Sequence, residues 1–135
     1  MPRTIGENIR NKLIIKDRYN ESSFITVYHG SADASERIAY RASLWKREGD
    51  TLKSCVTETR QEWGEKKITG FKEGDFRFKE GETLREISSD PESANYEPNW
   101  KALLRKYAPD ILEAVAEQIF ETTIVIAGQE YTQKN

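Results

Sequence analysis

Ile111, Leu112, Val115, Ile119 and Phe120 recur at the spacing of one helix face. No other feature constrains the chain as much, because a helix with a continuous apolar stripe has to lay it against another layer. The rest of the 135 residues is therefore read for what supplies that layer.

Two kinds of element are on offer. Trp100, Leu103, Leu104 and Tyr107 share a face and predict a further helix opening at Pro98-Asn99-Trp100. Pro109 breaks it, since a proline ring clashes with the preceding helical turn, and Asp110 stands near the next start. Upstream, Asp33 with Glu36 three residues on is a capping-box pattern, followed by Ile38, Ala42 and Trp45 on one stripe. Gly49 closes this helix behind Lys46 and Arg47, which suit its negative end. Leu52, Cys55, Val56, Thr59 and Trp63 then form a second stripe, with Gly64 near its end. Segments 33–48 and 50–67 are thus expected to form a helical hairpin. Ahead of them, Lys12–Lys16 and Ser23–His29 read as strands joined by a loop at 17–22. Ile25 and Val27 lie on one strand face, with Phe24, Thr26 and Tyr28 on the other.

The expected fold class is α+β, with an N-terminal β-hairpin (about 12–29) packed on a mainly α-helical bundle of about four helices (about 33–121). All of it is read as one domain, residues 1–135. Thr122–Ile126 either frays or adds a strand, and the tail after Gly128 is expected to be loose. No internal repeat is evident.

Residues 72–98 carry Gly74, Gly81, Pro91 and Pro98 and many acids, and are expected to be a flexible acidic loop. Connections of this length are uncommon in compact domains and are often functional. Aromatic and aliphatic residues stud it, either as clamps on the core or as anchors for a partner. The candidate protein-binding residues are Phe76, Phe78, Tyr96 and the neighbouring Trp100.

Composition narrows the function. Three Trp, six Tyr and five Phe argue against general disorder. No run approaches the roughly 20 apolar residues of a membrane span, and none at the N-terminus has signal-peptide length. The single Cys55 rules out an internal disulfide and suits a reducing compartment. A cytoplasmic location, without membrane contact, is expected. Residues 1–72 hold fourteen Lys/Arg against ten Asp/Glu, and residues 73–135 hold seven against thirteen. Such polarity steers a protein partner or a second copy, so a homo-oligomer is an option.

Chemistry offers little. His29 reads as a strand-end histidine and Cys55 as a buried, inert thiol on an apolar stripe, since reactive thiols need an electropositive, partly open setting. A Cys55–His29 dyad is the sharper alternative. One His and one Cys do not make a closed zinc site, and the acids from Asp75 to Glu92 lack calcium-loop spacing. No phosphate loop or dinucleotide fingerprint is present. No catalytic residue, metal or cofactor is expected. The basic helical pair with Tyr40, Trp45 and Trp63 interleaved is the alternative nucleic-acid platform. It is set aside because both tryptophans fall on stripes expected to be buried and because Glu36, Glu48, Glu58, Glu62 and Glu65 offset the charge.

Three segments together resemble a known group. They are Tyr40-Arg41-Ala42-Ser43-Leu44-Trp45-Lys46-Arg47-Glu48-Gly49, then Ile68-Thr69-Gly70-Phe71-Lys72-Glu73-Gly74-Asp75-Phe76, then Ser89–Lys101 followed by Tyr107-Ala108-Pro109-Asp110-Ile111-Leu112. The likeness spans about residues 10–121 and is to small prophage proteins from tail gene clusters. It is similar in architecture to tail assembly chaperones of long-tailed phages, with a small strand region followed by helices that have an ITG-F/W turn between them. The resemblance implies a non-enzymatic chaperone or scaffold in the bacterial host cytoplasm. Its partners would be the tape-measure and tail-tube proteins, and a frameshift-extended form would exist beside the short one. It implies no catalytic residue. The rival readings are a virion structural protein, at tail completion or the head–tail connector, and a small nucleic-acid-binding regulator.

Overall fold

A computed structural model describes residues 2–17 and 23–121. Eleven elements follow in order: β1 (Asn11–Lys16), β2 (Phe24–His29), α1 (Ala34–Ser43), β3 (Trp45–Glu48), β4 (Thr51–Ser54), α2 (Val56–Lys67), β5 (Ile68–Phe71), β6 (Arg77–Glu80), β7 (Thr83–Glu86), α3 (Trp100–Tyr107) and α4 (Pro109–Phe120). Strands and helices together make the fold α+β. The expected tail calls at 122–135 lie outside the described residues, as does most of the 17–22 loop.

The N-terminal hairpin forms as its alternation requires. β1 and β2 pair antiparallel from Asn11↔His29 to Lys16↔Phe24. Ile25, Val27 and His29 are buried, while Leu13 and Ile15 pack on the core from β1. The sheet does not stop there. β5, built from the ITG-F turn, adds antiparallel to β2, giving the order β1-β2-β5 with a bulge between Tyr28 and His29. Ile68 and Phe71 thereby join the same core as Val27.

The α4 stripe is covered as expected. Ile111, Leu112, Val115 and Ile119 are all buried, against the sheet and beneath α3. Pro109 is the first residue of α4, where its missing N–H costs nothing. α2 is the chief helical partner of α4. Gly64, read above as a helix-end signal, lies inside α2 at the point of closest approach. A Cβ there would stand 1.9 Å from the Leu112 carbonyl oxygen. Gln61 also reaches Glu113 at 3.2 Å, and Arg105 on α3 reaches Glu65 on α2 at 2.6 Å.

α1 opens on the expected capping box: Glu36 N–H donates to Asp33 at 2.8 Å and Asp33 N–H donates to Glu36 at 3.1 Å. It then clamps the C-terminal end of α4. The Tyr40 ring stacks on Phe120 at 4.2 Å, and Trp63 meets both rings edge-on. The Tyr40 hydroxyl donates to Glu121, which Arg60 grips through two bonds of 2.9 and 2.7 Å. Arg37 donates to the Ile119 carbonyl at 3.0 Å, satisfying one of the open groups at a helix end.

This network predicts a pH profile. The Arg60 guanidinium holds Glu121 below its ordinary value of 4.5. Its contribution to stability is therefore present above that value and lost as pH falls through the folded one. Burial, then the bond to Glu121, pushes the Tyr40 hydroxyl above its ordinary 10.0. That contribution is complete below pH 10 and lost as pH rises through the folded value. Tyr40→Phe keeps the ring stack and should cost about 1.5 kcal/mol at neutral pH. It should also erase the tyrosine's share of the alkaline fall in thermal midpoint. An unchanged alkaline limb in that variant would contradict the network.

Two expectations need correction. Segments 33–48 and 50–67 do not form a helical hairpin. α1 ends at Ser43, and Trp45–Ser54 forms a β-hairpin, β3–β4, before α2 begins at Val56. Gly49 is not a helix stop. It has φ +62° at the first of two loop positions between Glu48 and Thr51, where a type II′ turn needs a positive φ. Cys55 accordingly leaves the helical stripe. It stands at the N-cap position of α2, partly exposed, with Sγ 3.9 Å from the Lys53 carbonyl oxygen.

The second correction concerns residues 72–98, which are more than a connection. Arg77–Glu86 is another β-hairpin, β6–β7, and Ile87 and Ser88 are buried. Ser88 organises the turns behind it: its N–H donates to Asn95, its carbonyl accepts from Glu97, and its hydroxyl donates to Glu73 at 2.6 Å. The other oxygen of Glu73 takes the Ser93 hydroxyl at 2.5 Å. Asp75 accepts from the Thr26 N–H at 2.8 Å, tying the start of the stretch to β2. Among the described residues no helix is long and apolar enough to cross a membrane.

Candidate protein-binding surface

The four residues expected to bind protein separate into two pairs. Phe76 and Trp100 both turn onto Phe71, with ring centroids at 4.7 and 5.7 Å. Phe76 is partly buried there, and Trp100 is only 7% exposed within the main core. Trp100 is therefore a core residue, unavailable as a surface anchor. It was misread because Pro98-Asn99-Trp100 follows a polar stretch, although its spacing with Leu104 already placed it on an apolar helix face.

Phe78 and Tyr96 belong to the other pair. In β6–β7, Phe78 lies opposite Arg85 on one face, and Leu84 lies opposite Lys79 on the other. The Phe78 ring meets Tyr107 at 5.8 Å. Tyr107, at the last turn of α3, is 61% exposed although it shares a stripe with buried Trp100 and Leu104. Tyr96 is 38% exposed. Its neighbour Glu97 takes Arg85 at 2.8 Å, and Arg85 in turn lies over the Phe78 ring at 5.7 Å. The bond from Arg85, followed by one from the Asn99 N–H, holds the Glu97 carboxyl below its usual range. Lys106 lies over Tyr107 at 5.2 Å. The result is a pair of rings, Phe78 and Tyr107, each with a cation laid across it, with Phe78 partly buried on the main core and Tyr96 exposed on the turn next to Glu97. Cations over ring faces are attracted by the ring quadrupole and leave ring edges open to a partner.

Sequence reasoning missed a second exposed feature. All eight strand residues of β3–β4 are exposed, including Trp45 and Leu52. Register places Trp45, Arg47, Leu52 and Ser54 on one face, and Lys46 opposite Lys53 on the other. The two hairpins are alike. Arg47-Glu48-Gly49-Asp50-Thr51-Leu52-Lys53 and Lys79-Glu80-Gly81-Glu82-Thr83-Leu84-Arg85 match in residue class at every position, and Gly49 and Gly81 adopt φ of +62° and +61°. Leu52 and Leu84 are equivalent and almost equally exposed, at 57% and 54%. This seven-residue repeat corrects the expectation of no internal repeat, and it marks both turns.

The remaining candidates lie elsewhere. His29 is buried in β2, where Nδ1 donates to the Gly30 carbonyl at 2.7 Å, while Cys55 stands at the N-cap position of α2 with no capping bond from its side chain. A cavity of about 680 Å³ lies between the N-terminal arm, His29 and the end of α4, with Arg3, Arg10, Lys12 and Arg37 in its wall. Arg10 is engaged over the Tyr28 ring at 3.8 Å and Arg37 with Ile119.

No family model matches the sequence, no curated protein matches it, and no solved structure matches it.

Proposed function

We propose that this chain is a non-enzymatic protein-binding domain that acts in phage tail assembly as a chaperone or scaffold. The observation that carries the binding part is the exposed Tyr107 ring against Phe78, with the exposed Tyr96 on the neighbouring turn. Aromatic residues held rigid beside long cationic side chains are the composition favoured at binding hot spots. An elongated helical client presents an apolar stripe that such a surface can take. The choice of client, the tape-measure protein together with tail-tube subunits, comes from the resemblance carried by the segments at 40–49, 68–76 and 89–112.

Co-expression tests the assignment. The tape-measure protein produced alone should aggregate, and co-expression with this chain should keep it soluble and co-purifying. A chaperone should also be absent from finished particles. Recovery of this chain in purified virions at stoichiometric level would favour the tail-completion or connector reading instead. Failure to retain either tail protein would remove the tail-assembly assignment.

The exposure of Trp45 supports a second reading. Its expected burial is one of the two reasons for setting nucleic acid aside, and that one does not hold for the β3–β4 hairpin, where Trp45 is exposed. Arg47 shares the face of that accessible ring, with Lys46 and Lys53 on the opposite face of the same hairpin, and a ring beside cations stacks bases and neutralises phosphate. A salt-dependent mobility shift of single-stranded oligonucleotide, lost in Trp45→Ala, would select this reading.

A further inference from the structure

We propose that the outer face of the three-stranded sheet is a docking surface for an acidic amphipathic helix of a partner protein. The inference is independent of the rings around Tyr107, so either can fail without the other.

The strand register defines the face. Residues directly opposite in the β1–β2 ladder share a side of the sheet, so Leu13, Ile15, Ile25 and Val27 face the core together. The same register puts Lys12 with Tyr28, Ile14 with Thr26, and Lys16 with Phe24 on the opposite side. An antiparallel sheet that meets water on one side normally alternates apolar inward and polar outward. Here the outward set carries Ile14 and Phe24, diagonal neighbours that are 59% and 62% exposed, with Tyr28 on the other diagonal of Ile14. Leu13-Ile14-Ile15 is continuously apolar, the pattern of a strand covered on both faces.

Charge decides the occupant. Lys12 and Lys16 flank Ile14 on β1, and Arg10 reaches the same side, its guanidinium over the Tyr28 ring at 3.8 Å. No carboxylate among the described residues pairs with any of the three. Asp75, which reaches β2 from beyond β5, is taken by the Thr26 N–H at 2.8 Å. The face is apolar at its centre and cationic at its margins, so its complement is apolar with anionic margins.

A helix is the element that lays an apolar stripe flat on a sheet. Lys12 and Lys16 stand about 13 Å apart along the strand, a distance spanned by about nine residues of helix. Carboxylates about two to three turns apart, bordering an apolar stripe, match that spacing. Single-stranded nucleic acid is the poorer complement. Bases stack on open ring faces, and Arg10 already covers the Tyr28 ring, which leaves Phe24 as the open ring of this ladder.

The test is fluorescence anisotropy of the whole chain with a synthetic peptide of about 18 residues, long enough to hold a helix. It carries leucine on one face and glutamate along both margins. The control peptide keeps the leucines and has lysine in place of glutamate. Wild type should bind the glutamate peptide at least roughly tenfold more tightly than the lysine peptide, and added salt should narrow the difference. Ile14→Thr/Phe24→Thr, which keeps strand-forming residues, should weaken the glutamate peptide at least roughly tenfold. Lys12→Glu/Lys16→Glu should do the same and prefer the lysine peptide. All four side chains are exposed, so both thermal midpoints should stay near the wild type. Tyr96→Ala/Tyr107→Ala should bind the glutamate peptide as wild type does; a loss there would move the peptide to the rings and overturn the proposal. Equal binding of the two peptides, or no binding of either, would overturn it too. So would oligo-dT binding without glutamate-peptide binding, abolished in Lys12→Glu/Lys16→Glu, which would give the face to nucleic acid. A sedimentation mass above the monomer that drops in Ile14→Thr/Phe24→Thr would give the face to a second copy and overturn the proposal as well.

Discussion

Gly64→Ala should destabilise the protein by about 3 kcal/mol, or prevent folding altogether. In an ordinary exposed helix the same change gains about 1 kcal/mol, because alanine is the better helix former. Here a Cβ would sit 1.9 Å from the Leu112 carbonyl oxygen and 2.5 Å from its carbon. Both are backbone atoms within a helix and cannot swing aside as a side-chain tip can. The two helices have to separate, which opens the contact between α2 and α4 and loosens Leu112 and Val115 beneath it. The steric cost exceeds the propensity gain, so the sign is destabilising. Urea unfolding measures it. A midpoint equal to or above the wild type would mean that α2 and α4 cross further apart than described.

The second large effect concerns Trp100. Trp100→Ala should cost about 3 to 5 kcal/mol, the range for emptying a buried aromatic site. The ring lies against Phe71 within the cluster that joins sheet, α3 and α4. Tyr107→Ala, one face and two turns away, should stay within about 0.5 kcal/mol, as surface substitutions do. Phe76→Ala should fall between them, since its ring is partly buried on Phe71. Thermal and urea unfolding of the three variants gives the order. A mild Trp100→Ala with a severe Tyr107→Ala would reverse the assignment of core and surface.

These contrasts show what the sequence made legible. The α4 stripe, the Asp33–Glu36 capping box and the β1–β2 alternation each follow a local rule, and each forms as read. The helical hairpin expected over 33–67 does not form, for a physical reason. Trp45 and Leu52 fit a helical stripe by spacing, but Glu48-Gly49-Asp50-Thr51 is a two-residue turn, and turn chemistry overrides periodicity over so short a run. The same four-residue pattern recurs at Glu80-Gly81-Glu82-Thr83, and comparing the two would have exposed both hairpins. Gly64 was read as a terminator because sequence gives no sign of which helix will press against it. Trp100 and Tyr107 were inseparable by spacing. What separates them is that the helix ends beside β6–β7, so that Tyr107 lies exposed against Phe78 and Lys106 while Trp100 is buried in the core. The third strand of the sheet was hidden for a similar reason. Ile68–Phe71 is too short to read as a strand without β2 beside it.

The central claim is that Tyr96 and Tyr107, beside a Phe78 that is partly buried on the core, serve protein binding and contribute little to folding. The direct measurement is a titration of purified tape-measure protein with wild type and with Tyr96→Ala/Tyr107→Ala. The account predicts a loss of binding of at least roughly tenfold, from two anchors each worth on the order of 1 kcal/mol or more, with the thermal midpoint nearly unchanged. Full retention of binding by a well-folded double variant would contradict it.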